Sequence, residues 1–120
     1  MFSLSSSHQF YLYKSACDMR KRFDSLCGLV QNELNQVAHN GSVYVFINRR
    51  CNQMKLLHWE TGGFVLYHKR LEQGTFAFPI HNRTQISWSD LVLMIEGIQV
   101  IKSSQKRRFS MWVFRSKLNR

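Results

Sequence analysis

The residues of this chain best suited to chemistry are cationic. Arg20-Lys21-Arg22, Arg49-Arg50, Lys55, Lys69-Arg70 and Lys106-Arg107-Arg108 recur along 120 residues in which 17 Lys and Arg face 7 Asp and Glu, a formal net charge of +10. Guanidinium groups bind phosphate oxygens through paired N–H donors, and a balance of this sign favours a polyanionic partner. Nucleic acid, acidic lipid headgroups and acidic proteins all fit that description, and part of the charge only solvates the fold. Aromatic residues interleave with the cations: Lys55 and Trp59 lie two pleats apart on one predicted strand, and Tyr67 and Lys69 share a face of the next. Such a face can hold a phosphate backbone and stack bases. The competing reading keeps Trp59 and Tyr67 in the core and leaves the cations on the solvated side of a half-buried sheet.

Other chemistries find less support. Metal-dependent strand transfer uses several convergent carboxylates, but the complete acidic set is Asp18, Asp24, Glu33, Glu60, Glu72, Asp90 and Glu96. No triad is evident in it, and Asp18 and Asp90 are suited to helix capping. His8, His39, His58, His68 and His81 form no H-x-H or H-E-x-x-H pair. His58 and His68 fall on adjacent predicted strands near Cys51, yet isolated histidines in strands are more often structural than metal ligands. Cys17, Cys27 and Cys51 are odd in number and lack C-x-x-C spacing, which points to a reducing cytoplasm rather than a disulfide framework or zinc ribbon. Residues Met1 to Tyr13 lack the basic and apolar regions of a signal peptide, and no apolar run approaches the roughly 18 residues of a membrane span. We expect a non-enzymatic protein of the cytoplasm, with no metal, cofactor, small-molecule substrate or membrane contact.

These side chains need elements to position them. Phe10 to Tyr13 has the bulky character of a short strand. From Asp18 to about Asn35, Met19, Phe23, Leu26, Val30 and Leu34 recur every three or four positions and predict a helix, with Asp18 as N-cap and His39-Asn40-Gly41 as stop and turn. Arg20-Lys21-Arg22 would then occupy its first turn, where cations are disfavoured by about 0.3–1 kcal/mol each unless an anion binds. Neutralisation by Asp18 and Asp24 explains the cluster equally well. Val43 to Ile47, Met54 to Trp59, Phe64 to Leu71 and Thr75 to Phe78 read as an antiparallel meander that ends at Pro79. Ser87 and Asp90 have capping-box spacing, Ile86 and Leu91 the spacing of a hydrophobic staple, and Gly97 is suited to ending the helix they start. The expected fold is α+β in a single domain: an antiparallel β-meander of about four strands with an N-terminal strand, packed by two helices at about 18–35 and 88–96. Residues 1–98 form that domain, and 99–120 are a basic C-terminal extension of it, in which Phe109 to Phe114 could dock.

The order of short motifs carries further information. Asp18-Met19-Arg20-Lys21 with Phe23-Asp24, Val45-Phe46-Ile47-Asn48-Arg49-Arg50, and Lys55-Leu56-Leu57-His58-Trp59-Glu60 are followed by Gly63-Phe64, Tyr67-His68-Lys69-Arg70-Leu71-Glu72, Gly74-Thr75-Phe76, Pro79 and Leu93-Met94-Ile95-Glu96-Gly97. From about Phe10 to Ile98 this series resembles the TnpB accessory family, the second open reading frame, of insertion sequence 66. The resemblance rests on Asp18, Met19, Arg20, Asn48, Arg49, Lys55, Trp59 and Arg70. His58 stands where the family pattern has Tyr and Glu60 where it has Asp, and the basic extension lies outside the resemblance. It implies a small bacterial protein encoded beside a separate, larger acidic-triad transposase and required for movement of the element.

Charge and resemblance together lead to a non-catalytic transposition factor that binds DNA, at the element ends, through Arg20, Lys21, Arg49, Arg50, Lys55, Lys69 and Arg70, assisted by Lys106, Arg107 and Arg108. The second reading is a module that docks on the transposase of the same element without touching DNA. A nuclease or strand-transfer enzyme ranks last.

Overall fold

The computed structural model describes residues 4–96. Gly97 as a helix end, the cations Lys106, Arg107 and Arg108, and the segment Phe109 to Phe114 lie outside the described residues. In chain order the elements are β1 (Phe10–Leu12), α1 (Phe23–Glu33), β2 (Val43–Ile47), β3 (Gln53–Glu60), β4 (Gly63–Arg70), β5 (Gln85–Ile86) and α2 (Trp88–Glu96). The strands form one sheet in the order β4-β3-β2-β1-β5. β2, β3 and β4 are the expected antiparallel meander. β1 joins its far side parallel to β2, with Phe10 beside Val43, because α1 carries the chain back across the sheet between them.

Successive residues of each strand point to opposite faces, and each face acquires its own helix. Leu26 and Val30 of α1 pack with Tyr44, Phe46 and Leu57 on one face. On the other, Leu91 and Met94 of α2 pack with Phe10, Leu12, Val43, Val45, Met54, Leu56 and Ile86. The central strand β2 is therefore buried at all five positions, which explains a continuous apolar run in place of alternation. The result is the expected α+β class, with helices on both faces.

Two elements differ from the sequence reading. Thr75 to Phe78 does not form the fourth strand of the meander. Gly74 turns the chain at φ 78°, and Phe76 gives its N–H to the Cys51 carbonyl at 2.8 Å while its ring is fully buried. An isolated bridge at Thr75 and a buried aromatic plug replace a ladder there. The additional strand is Gln85–Ile86, which pairs antiparallel with β1. The first helix begins at Phe23 instead of near Asp18, and its N-cap position is Arg22, extended and without a side-chain cap. The Asp18 carboxylate instead receives the Arg20 N–H at 2.9 Å and the Arg20 guanidinium, and residues 18–21 close a turn through a Lys21 N–H to Asp18 carbonyl bond of 3.1 Å. Arg20, Lys21 and Arg22 accordingly precede the helix. At the other end Asn35 takes a left-handed conformation, φ 55°, which an Asn tolerates and which stops α1 before His39.

The start of α2 follows the sequence closely. Ser87 Oγ accepts the Asp90 N–H at 3.0 Å, Asp90 Oδ2 accepts the Ser87 N–H at 3.0 Å, and Ile86 and Leu91 are both buried. His81 Nε2 sits 2.8 Å from the same Asp90 oxygen. That bond, and then the Ser87 amide, hold the Asp90 carboxyl below its ordinary pKa of 3.8. A carboxyl lowered by folding stabilises the protein above its unfolded pKa and loses that contribution as pH falls through the folded value. Ser87→Ala should cost about 1 kcal/mol in urea unfolding. Asp90→Asn should be destabilising at neutral pH, by a margin that shrinks as pH drops well below 3.8; a margin independent of pH would contradict this account of the cap.

Candidate nucleic-acid interface

The turn between β2 and β3 is built by Asn48. Its Oδ1 accepts the N–H groups of Asn52 and Gln53 at 3.0 and 2.9 Å, and its Nδ2 donates to Asn52 Oδ1 at 2.7 Å. The Cys51 N–H closes the same turn on the Asn48 carbonyl at 3.0 Å. Cys51 is left-handed, φ 60°, and fully buried, and burial pushes its thiol up to a pKa of about 11. With both ends of the turn anchored, Arg49 and Arg50 have no inward direction left and are exposed. The end of β4 is tied to this turn by the Leu71 N–H, 2.7 Å from the Asn52 carbonyl, and Arg70 sits opposite Gln53. Arg49, Arg50, Lys69 and Arg70 thus gather at one end of the sheet. Arg70 meets Glu72 at 3.0 Å, but both side chains are largely in water and the pair is weakly held.

Lys55 has a different place. Pairing in the sheet sets it on the α1 face between Phe46 of β2 and His68 of β4, and only 5% of it is exposed. Its ammonium donates to the Met19 carbonyl at 2.8 Å and the Lys21 carbonyl at 2.6 Å. The buried charge is thereby satisfied, and the Asp18–Arg22 segment is fastened over the strand. Lys55 is therefore a buried, satisfied cation and not an exposed one like Arg49, Arg50 or Arg70.

Between that segment and β4 lies a cleft of about 480 Å³ lined by Met19, Arg20, Arg22, Phe23, Lys55, Leu66 and His68. The Asp18–Arg20 pair at its rim is short, 2.7 Å, and the Arg20 hydrogen bonds lower the Asp18 pKa to about 2. Arg20 itself is almost wholly exposed. His68 Nε2 is 2.8 Å from Gln53 Oε1, and its pKa is lowered by burial first and then by Lys55 and Arg70. An anion entering the cleft would reverse the second influence and favour the protonated ring. Arg22 belongs to the Arg20-Lys21-Arg22 cluster that the sequence itself marks as a possible anion site, whereas His68 carries no such signal, because the register that places it beside Lys55 is not revealed by residue spacing.

The remaining sequence candidates are dispersed. Lys69 and Tyr67 belong to the α2 face, opposite to Lys55, His68 and Arg70. Trp59 packs edge-on against Phe64, ring centres 4.9 Å apart, and against His39 at 5.9 Å. Tyr67 donates its hydroxyl to Glu60 at 3.0 Å. The family-motif residues Asp18, Met19, Arg20 and Lys55 meet in one cluster, and Asn48, Arg49 and Arg70 lie at the adjoining end of the sheet, whereas Trp59 stands apart. His58 is buried on the α2 face, 3.3 Å from the Ser42 carbonyl, so it does not converge with His68. Among the described residues no three His, Cys, Asp or Glu side chains cluster, and no helix is long and apolar enough to cross a membrane.

The Lys55 anchor can be tested directly. Lys55→Met keeps the apolar stem but leaves two carbonyls without their donor, at a cost of about 1–3 kcal/mol in chemical denaturation. Amides of Met19 to Arg22 should exchange faster with deuterium in that variant, whereas Arg50→Ala should shift stability by no more than about 0.5 kcal/mol.

The family model described as IS66 Orf2 like protein matches residues 8–105, and so reaches past Ile98 into the basic extension. An uncharacterized protein of Sinorhizobium fredii (strain NBRC 101917 / NGR234), y4jC, is 34% identical over 91 residues, covering 74% of this chain and 78% of its own length. No solved structure matches. With a family match across most of its length, the chain belongs to the IS66 Orf2-like family and has the accessory role in an insertion sequence that this membership carries.

Proposed function

We propose that the protein is a non-catalytic DNA-binding factor of transposition, which grips the phosphate backbone near the ends of its element. The observation that carries this reading is the exposed cation cluster at one end of the sheet. Arg49 and Arg50 are exposed on the Asn48 turn, Arg70 ends the strand tied to that turn, and the cleft with Arg20 and Arg22 opens on the face that Arg70 shares with Lys55 and His68. Arg20, Lys21, Arg22, Arg49, Arg50 and Arg70 supply phosphate contacts, which position a protein without reading sequence, whereas Lys69 lies on the opposite face of the sheet. Lys55 serves as the internal anchor of the Asp18–Arg22 segment, and Lys106, Arg107 and Arg108 add further positive charge to the sequence. Asp18, Glu60, Glu72 and Asp90 each engage a neighbour of their own. Cys17, Cys27 and Cys51 are free thiols, in keeping with action in the bacterial cytoplasm.

A second reading has one observation in its favour. An apolar cleft of about 760 Å³, lined by Leu4, Met54, Leu56, Tyr67, Trp88 and Ile95 among others, opens beside α2 and suits a protein partner such as the transposase. The two readings separate in one titration. Binding of the purified protein to terminal-repeat duplex should weaken with salt at a log–log slope of about 0.9 per phosphate contact. Arg49→Ala with Arg50→Ala should reduce that slope by about 2, and reversal of both to Glu should weaken binding to every sequence alike. Affinity that ignores these changes, together with transposase capture that survives nuclease, would favour the docking module.

A further inference from the structure

Among the described residues β4 is the last strand on its side of the sheet, and its outer edge is eight residues long. The Leu71 N–H reaches the Asn52 carbonyl of the β3 side, so the odd-numbered residues of β4 turn their main chain inward. Phe64, Leu66, His68 and Arg70 therefore turn theirs outward, and among the described residues no strand receives them. Natural edges are commonly blocked by proline, a bulge or inward-facing charge. β4 has no proline, pairs with β3 without interruption, and carries its cations only at one end, in Lys69 and Arg70.

That uneven charge makes the edge complementary to itself. In an antiparallel pairing about a two-fold axis at Tyr67, Phe64 meets Arg70 of the second copy, Val65 meets Lys69, and Leu66 meets His68. All four outward-facing residues of each copy then exchange both main-chain hydrogen bonds. No cation opposes a cation, and Arg70 comes over an aromatic ring. A parallel arrangement would set Lys69 and Arg70 beside their own copies, and a centre at Leu66 would leave Arg70 outside the ladder. We propose that β4 is a dimerisation edge, through which two copies join in this register into one continuous sheet of ten described strands, five from each copy. The pairing stands on the geometry of the edge and does not depend on whether the basic surface holds DNA.

Sedimentation of nuclease-treated full-length protein in raised salt tests it, with a dimer expected at twice the chain mass of 14.3 kDa. Val65→Lys faces Lys69 of the second copy and should weaken the dimer by about ten-fold or more, whereas Val65→Glu faces the same Lys69 with opposite charge and should preserve or tighten it. A general packing defect at Val65 would affect both variants alike. Leu66→Pro removes an amide that faces away from β3 and should give a monomer with an unchanged circular dichroism spectrum. A wild-type protein that is monomeric at about 100 µM, or a dimer indifferent to all three substitutions, overturns the proposal.

Discussion

A single ammonium, that of Lys55, connects the interior of this protein to its basic surface. The side chain rises from β3 into a face otherwise filled by Phe46, Leu57, Leu26 and Val30, where an unpaired charge would be strongly disfavoured. The Met19 and Lys21 carbonyls satisfy it. The same two bonds dictate the path of the chain before α1, because residues 18–22 must cross Lys55 before a helix can begin. Arg20 and Arg22 then line the cleft beside His68 instead of lying along a helix. The family motif around Asp18-Met19-Arg20 and the one around Lys55 are two halves of this contact, which gives a physical reason for them to occur together.

The other end of the basic surface depends on a separate local device. Asn48 imitates a backbone partner for Asn52 and Gln53, so the β2–β3 connection stays tight although Cys51 is left-handed. Cys51 and Phe76 fill the end of the core beneath it. The Asn-Arg-Arg motif thus combines a structural first residue with two outward guanidinium groups, and the distinction is visible only in the hydrogen bonds. Leu71 ties β4 to the same turn, which brings Arg70 to the cluster from a distant part of the sequence.

What could be read from sequence was local. The Ser87–Asp90 cap and the Ile86–Leu91 staple involve residues a few positions apart, and the structure reproduces them. The strands β2, β3 and β4 were legible within a residue or so, because β-branched and aromatic runs alternate with turn residues. Asp18 was misread as a helix cap because its carboxylate had two possible partners, the amides of a helix and the adjacent Arg20, and the Lys55 contact decides between them. β5 is only two residues long and exists by pairing with β1, so nothing in Gln85 or Ile86 announces it. Lys55 looked like one more surface cation. The clue to its burial was its neighbours, since a lysine between Met54 and Leu56 on a strand covered on both faces needs an internal partner.

If the basic cluster is the contact surface, its residues should respond together. The most direct measurement is backbone amide NMR of the full-length protein titrated with a short duplex from the end of its element. Shifts concentrated at Arg20 to Arg22, Arg49, Arg50 and His68 to Arg70, with α2 unaffected, are what the account predicts. Shifts confined to α2 and the apolar cleft around Trp88, or no shifts at moderate salt, would contradict it.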